Sequence, residues 1–284
     1  MCRDLKNKLA RLQQLLQATG KVAIAFSGGV DSTLLLRIAC DTLGPENVTA
    51  LQAVSCLIPE QDQLKTRKLV AAPENGIRCS YQIVQVQPLL WPEFVVNSER
   101  RCYFCKKRIY GAFYATMSQG DHPYSTPEYL SRFVYLLDGT NIDDLQEHRP
   151  GLQAIQELSV GTPLAQAGLN KKDIRSLAKK MGLTNWNQPS NSCLATRIPV
   201  HQQITKVILE HIAQAEAFLQ EKGFIGCRVR PGHHTVEVQV MTNDLERFSD
   251  ESLRPEITQH LATLGFDNIF FNSQGRDSQG RDKV

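Results

Sequence analysis

Three groups of residues in this sequence have the types and spacing that chemistry requires. The first is Ser27-Gly28-Gly29-Val30-Asp31-Ser32, set between apolar runs. Paired glycines let a backbone approach an oxyanion closely and adopt positive φ. Ser27 and Ser32 add hydroxyl donors, and Asp31 makes sense beside phosphates when a divalent cation lies between them. The plain alternative is a strand-to-helix turn capped by Ser or Asp. The second group is Cys102 and Cys105 in NSERRCYFCKKRIY. Three residues apart on a helical turn, they point the same way. Such a pair suits an iron–sulfur cluster, a zinc site, a redox couple or ordinary buried thiols. A structural zinc wants four ligands, and the pair lacks a matching CxxC or HxxxH, His148 being the nearest recruit. Arg100, Arg101, Lys106, Lys107 and Arg108 bracket the pair; they either favour thiolates and attract an anion or form a solvated helix face. The third group is Cys193 in NQPSNSCLATRIP, followed by Arg197, with Arg228 and Arg230 in CRVRPG. The last two alternate on a strand and share a face. Guanidinium groups suit bidentate phosphate binding, with pairing to surface acids as the alternative.

These residues need elements to hold them. Leu5, Leu9, Leu12 and Leu16 recur at helical spacing before Gly20, which predicts an amphipathic opening helix. KVAIAF reads as a buried strand, DSTLLLRIACDTLG as a helix ending on Gly44, VTALQAV as a strand and 60–71 as a helix. YQIVQV (81–86) and FVYLLDGTN (133–141) are further strand candidates. Strands alternating with helices predict a parallel sheet covered on both faces. The SGGVDS loop then stands at a strand's C-terminal edge and a helix N-terminus, where unpaired N–H groups and the helix dipole favour an anion. Asp138 ends a later strand, so Gly139, Asn141, Asp143 and Asp144 reach the same edge, where ligands of open α/β sheets bind. They suit ribose hydroxyls or Mg2+, and Asp143 or Asp144 could instead cap the next helix. Near Pro199 the character changes. A helix over about 201–222, two strands in CRVRPGHHTVEVQV, a helix over about 251–264 and the strand NIFF give α+β order. The expected organisation is an α/β domain over 1–199, a small α+β domain over 200–272, and a disordered tail over 273–284 with a repeated SQGRD.

The 284 residues carry a net charge of +3, with 21% charged and 42% hydrophobic residues, an ordinary balance for a soluble globular protein. That charge does not argue for nucleic acid, so any basic partner site must be local. No apolar run approaches a membrane span, and MCRDLKNKLARL has no signal-peptide apolar region. The expectation is a soluble cytoplasmic protein without a membrane or nucleic-acid partner. Its eight cysteines then favour metal, cluster or nucleophile roles over disulfides. Cys2, Cys40, Cys56, Cys79 and Cys227, in apolar or terminal contexts, read as structural.

In its strand–loop–helix context SGGVDS resembles the PP-loop of ATP pyrophosphatases, which cleave ATP to AMP and pyrophosphate while adenylating a substrate. It does not match the Walker pattern GxxxxGKS/T. Together with the two cysteine segments, DGTNIDDLQEHRPG (138–151) and CRVRPG, it is similar to the LarE-type ATP-dependent sulfur transferases, from about Lys21 to about Leu264. The resemblance implies a PP-loop (adenine nucleotide alpha hydrolase-like) parallel sheet flanked by helices, with a small C-terminal α+β domain. It implies that ATP and Mg2+ are held by Ser27, Gly28, Gly29, Asp31, Ser32, Gly139, Asn141 and Asp144. Arg228 and Arg230 would hold the substrate phosphate, and Cys193, Asp31 and Arg197 would act in catalysis. The implied substrate is a pyridinium dicarboxylate mononucleotide, used in making the nickel-pincer cofactor. One of its carboxylates is adenylated, and sulfur replaces the activated oxygen. Oxide is a poor leaving group, whereas AMP departs readily when a thiolate or sulfide attacks. A sulfide donor and homo-oligomeric assembly are also implied. The sulfur source divides the family. In one branch a single cysteine, at the position of Cys193, gives up its own sulfur and becomes dehydroalanine. In the other, three cysteines hold a [4Fe-4S] cluster with one iron open to sulfide. Cys102, Cys105 and Cys193 match the second pattern.

The chain also departs from the family. Gln239 stands where an acidic residue is expected, with Glu237 two residues away on the same face. Glu216 matches an acidic family position and reads as a metal ligand or a surface helix residue. Residues 117–132 read as an inserted polar loop. Two rival functions are a PP-loop tRNA thiolase, opposed by the small net charge and the lack of a long basic or aromatic strip, and an idle nucleotide-binding or sulfur-carrier module, opposed by the presence of Asp31 and both loop serines.

Overall fold

The computed structural model describes residues 2–118, 134–146, 150–232 and 235–276. The inserted loop beyond Ser118, His148 and the tail beyond Arg276 lie outside the described residues. The chain divides into two compact units. The first comprises Met1–Ser55, Glu60–Val86 and Arg100–Gln188; the second comprises Cys56–Pro59, Gln87–Glu99 and Pro189–Val284.

The first unit is built on strands β1 (Lys21–Ala25), β2 (Val48–Val54), β3 (Ser80–Gln85) and β4 (Val134–Leu137). They lie in the order β3-β2-β1-β4, all parallel. Val22, Ala23 and Ile24 of β1 are all buried, as a central strand covered on both faces requires. The covering helices include α1 (Arg3–Gln17), α2 (Val30–Leu43), α3 (Glu60–Ala71), α4 (Arg101–Ser118), α5 (Pro150–Glu157) and α6 (Lys171–Lys180). Leu12 and Leu16 of α1, Leu34 and Ile38 of α2, and Ile174 and Leu177 of α6 share one core with β1. From β1 the chain steps outward to β2 and β3, then returns to the other side of β1 as β4. That reversal makes the C-terminal edge between β1 and β4 the topological switch point, where open α/β sheets take their ligands. The strand expected over 133–141 stops at Leu137 because the Asp138 carboxylate accepts the Thr140 N–H at 2.7 Å and turns the chain.

In the second unit, helix α7 (Lys206–Glu221) and helix α8 (Arg254–Thr263) accompany β5 (Arg228–Pro231), β6 (Val236–Gln239) and β7 (Ile269–Phe271). The sheet order is β5-β6-β7, the first pair antiparallel and the second parallel. The long helix begins at Lys206, not near 201, because the Thr205 hydroxyl caps it by accepting the Ile208 N–H. Unlike the expected domain, this unit starts at Pro189 and takes in two earlier segments. Asn97 explains one of them: its side-chain amide donates to the carbonyls of Pro199 (2.7 Å) and Gln202 (2.8 Å). The Leu194 N–H donates to Leu57 O, which ties in the other. The stretch expected to be a tail from 273 is packed through Arg276, which is buried, takes its N–H to Val240 O and gives a guanidinium hydrogen to Gly226 O at 2.8 Å.

Candidate functional site

The loop that leaves β1 is held in shape by its own side chains. The Ser32 hydroxyl donates to Gly29 O (3.1 Å) and accepts the Ser27 N–H (3.3 Å), while the Thr33 hydroxyl donates to Gly29 O at 2.9 Å. Gly28 has φ of 77°, and a Cβ there would lie 2.4 Å from Thr66 Oγ1 of α3. Only glycine fits. Asn185, buried beneath, donates to Gly28 O (3.0 Å) and to Thr33 Oγ1 (2.9 Å). Asp31 stands in the first turn of α2, whose dipole favours negative charge.

The segment after β4 closes on this loop. A Cβ on Gly139 would sit 2.9 Å from the backbone nitrogen of Ser32, so the two loops touch backbone to backbone. Asn141 is buried and donates to Asp31 Oδ1 at 3.2 Å. The structure therefore gathers Ser27, Gly28, Gly29, Asp31, Ser32, Gly139 and Asn141 at one edge. The two aspartates that follow have capping work. Asp144 accepts the Asn141 N–H at 3.0 Å, and Asn141 Oδ1 accepts the N–H groups of Asp143 and Asp144. Asp143 reaches further and accepts the Lys171 N–H at 2.8 Å. Lys171 Nζ in turn forms an ion pair with Asp31 Oδ2.

Asp138 links this edge to the cysteine helix. Its buried carboxylate accepts from the hydroxyls of Tyr110 and Thr140 and pairs with Lys106 Nζ at 3.3 Å. Burial alone would raise its pKa. The Lys106 ammonium and the hydrogen bonds from Thr140 and Tyr110 outweigh that, so the group stays below the usual carboxylate range. Burial first, and then Asp138, push the Tyr110 phenol well above its ordinary value. Lys106 and Tyr110 belong to α4, whose first turns carry Cys102, exposed, and Cys105, half-buried. Gly151 of α5 lets that helix lie against Lys106 and the Cys102 carbonyl.

In the second unit, Cys193 precedes a short 3₁₀ turn over Leu194–Arg197. Its thiol is half-buried, and its carbonyl accepts from Arg197 Nη1 at 2.9 Å. Arg197 is buried and grips Glu216 through two parallel bonds of 2.9 Å, Nε to Oε1 and Nη2 to Oε2. Glu216 is thus neither a surface residue nor turned to solvent; it also accepts the Val229 N–H and lies 3.9 Å from Arg228 Nη1. Burial, and then Arg197, push the Arg228 guanidinium pKa down, with Glu216 pulling the other way. Arg230 donates to Gln239 Oε1 (3.0 Å) and Thr196 O (3.1 Å), and Gln239 donates to Glu237. Positive charge is therefore concentrated around one buried carboxylate. Cys102 and Cys105 lie in the first unit and Cys193 in the second. Among the described residues no three His, Cys, Asp or Glu side chains converge as a metal site, and no helix is long and apolar enough to cross a membrane.

Sequence reasoning missed Lys171, Asn185 and Glu216's partner. Lys171 left one trace: a lysine as first residue of a helix opened by an Asn170/Asp173 capping box, where the dipole disfavours a cation.

A four-stranded parallel sheet flanked by helices, with SGGVDS at its switch point, makes this an α/β protein of PP-loop type. No family model matches the sequence. Over 282 residues the chain is 31% identical to an uncharacterised protein of Synechocystis sp., covering 99% of this chain and 98% of that protein. Over 265 residues it is 30% identical to the pyridinium-3,5-bisthiocarboxylic acid mononucleotide synthase of Lactiplantibacillus plantarum, covering 92% of this chain and 89% of that enzyme. An uncharacterised protein of Methanocaldococcus jannaschii is 28% identical over 254 residues, 89% of each chain. The chain belongs to the LarE-type family of pyridinium-3,5-bisthiocarboxylic acid mononucleotide synthases.

Proposed function

We propose that this protein is an ATP-dependent sulfur transferase acting on a pyridinium dicarboxylate mononucleotide. The observation that carries the reading is the closure of the Gly139–Asn141 segment on Asp31 and Ser32 at the β1/β4 edge. Phosphates of ATP lie against the Gly28–Ser32 backbone, and Asp31 offers the hard carboxylate oxygen that Mg2+ takes alongside phosphate ligands. A carboxylate of the substrate attacks the α-phosphorus, so an acyl adenylate forms and pyrophosphate leaves. Sulfur then attacks the acyl carbon, and AMP departs with the former carboxylate oxygen. Arg228, buried, and Arg230, half-buried, at alternate positions of β5, hold the substrate phosphate, whose charge offsets the positive excess around Glu216. Arg197, locked on Glu216, fixes the turn that presents Cys193 by holding its carbonyl.

Cys102 and Cys105, three residues apart on α4, are the proposed first two thiolate ligands of an iron–sulfur cluster, and Cys193 is the proposed third. A [4Fe-4S] cluster held by these three cysteines would leave one iron open to bind sulfide. The deciding experiment measures iron, acid-labile sulfide and zinc in anaerobically reconstituted protein, with AMP and pyrophosphate release from ATP plus the mononucleotide. The expected result is about four irons per chain, lost in Cys102→Ala, Cys105→Ala and Cys193→Ala while ATP affinity stays unchanged. Dehydroalanine at position 193 after turnover, with no iron bound, would replace the cluster with Cys193 as sacrificial donor. Absence of AMP and pyrophosphate release would overturn the function.

A further inference from the structure

A peptide between two glycines turns over easily, because neither residue carries a Cβ to oppose it. Gly28–Gly29 is such a peptide, and it lies within the loop after β1. Across a trans bond the C=O and N–H point in opposite directions, so whatever holds the Gly28 carbonyl also aims the Gly29 N–H. Here the carbonyl is held from the buried side. Asn185 is 5% exposed, and its Nδ2 donates to Gly28 O at 3.0 Å and to Thr33 Oγ1 at 2.9 Å. Thr33 passes the restraint on by donating to Gly29 O at 2.9 Å. Gly29 itself is exposed, and its N–H makes a long contact of 3.4 Å to Ser27 Oγ. The arrangement costs Asn185 something: its Oδ1 is buried and accepts no hydrogen bond among the described residues. An unsatisfied buried carbonyl is destabilising, so packing alone would favour an apolar side chain at this position.

We propose that Asn185 is a positioning residue that keeps the Gly28–Gly29 peptide turned so that the Gly29 N–H faces the phosphates of the nucleotide. This rests on the nucleotide-site reading above. An N–H aimed in advance needs no reorganisation when negative charge reaches it. Without the Asn185 amide, the Gly28 carbonyl loses its buried donor and the peptide is free to turn over. A carbonyl oxygen then faces the phosphates where a donor stood. Asn and Asp share a shape but differ in polarity at the atom concerned, which makes the role testable.

The test is calorimetric titration of the full-length chain with inorganic pyrophosphate in Mg2+, with the melting temperature measured alongside. Asn185→Leu, neutral and without a donor, is expected to weaken pyrophosphate about tenfold, the low end for losing a hydrogen bond to a charged group. Asn185→Asp should weaken it about a hundredfold near pH 8, because an ionised carboxylate repels the Gly28 carbonyl and the phosphates and accepts the Gly29 N–H. Burial raises the pKa of a carboxyl, and its protonated form donates again. The ratio of wild-type to Asn185→Asp affinity should therefore fall severalfold between about pH 8 and about pH 5.5, while the ratio for Asn185→Leu stays flat. Asn187→Asp, the same change at an exposed position, should match wild type throughout. If Asn185→Leu does not fold, Asn185→Ala takes its place with the same expectation. A lower melting temperature with unchanged pyrophosphate affinity in the neutral variant would mark a purely structural asparagine and overturn the proposal. So would a ratio for Asn185→Asp that does not change with pH. Wild type binding neither ATP nor pyrophosphate overturns the nucleotide site and this proposal with it, a failure seen before any variant is made.

Discussion

Replacing Glu216 by Gln tests how the second unit tolerates its buried arginines. The side chains of Arg197 and Glu216 are 2% and 4% exposed and share two bonds of 2.9 Å. Glu216 also accepts the Val229 N–H at 3.1 Å and faces Arg228 at 3.9 Å. Gln keeps the volume but removes the carboxylate that both guanidinium groups face, and its NH2 opposes one donor with another. Removing one partner of a buried pair costs about 3–5 kcal/mol, because the remaining charge is left uncompensated. At about 2–4 °C per kcal/mol for a domain of this size, that is a fall in melting temperature on the order of 10 °C. Urea unfolding and calorimetry of the full chain at neutral pH would measure it. The double change Arg197→Met with Glu216→Leu should lose much less, since a well-packed apolar pair avoids the desolvation of both ions. A loss below about 1 kcal/mol for Glu216→Gln would refute the reasoning.

Gly139→Ala should push the β4 loop away from Ser32, since the new Cβ would lie 2.9 Å from a backbone nitrogen that cannot swing aside. We expect about 1–3 kcal/mol of destabilisation and a clear loss of ATP affinity, read by urea unfolding and equilibrium binding. Asp138 titrates below its ordinary 3.8 in the folded state. Its stabilisation is therefore present above that value and disappears as pH falls through the lower folded one. Asp138→Asn should lower stability at neutral pH and flatten the acid limb of a stability–pH curve; an unchanged acid limb would count against the Lys106–Asp138 linkage.

The strand–loop–helix frame of the first unit was legible because it rests on local signals. An apolar run before SGGVDS and helical periodicity after it place the loop, and Gly44 closes the helix where it was expected. The edge location of Asp138 was legible for the same reason, since its carboxylate ends the strand locally. Partnerships across long sequence intervals were not. Glu216 lies in a helix among polar neighbours, and nothing in HIAQAEAF shows that Arg197 removes it from water. Lys171 looks like any lysine until β4 and α6 bring it to Asp31, 140 residues away. Asp143 and Asp144 both make capping contacts, and Asp143 does so for a helix that sequence spacing does not connect to it.

The second unit's patchwork of segments has a consequence for how the chain is made and remade. Phe94 and Asn97 leave the ribosome about a hundred residues before the carbonyls that Asn97 serves, and the pairing with Pro199 spans 102 residues. Closing so long an interval comes late in folding, because its entropy must be spent before its contacts return anything. Until then the 87–99 segment has no completed unit to join. Neither half is a cassette: a single cut near residue 189 would leave the C-terminal piece without Phe94 and Asn97 and the N-terminal piece with both stranded. Genetic shuffling of this protein must therefore move the whole chain, or make five cuts at once.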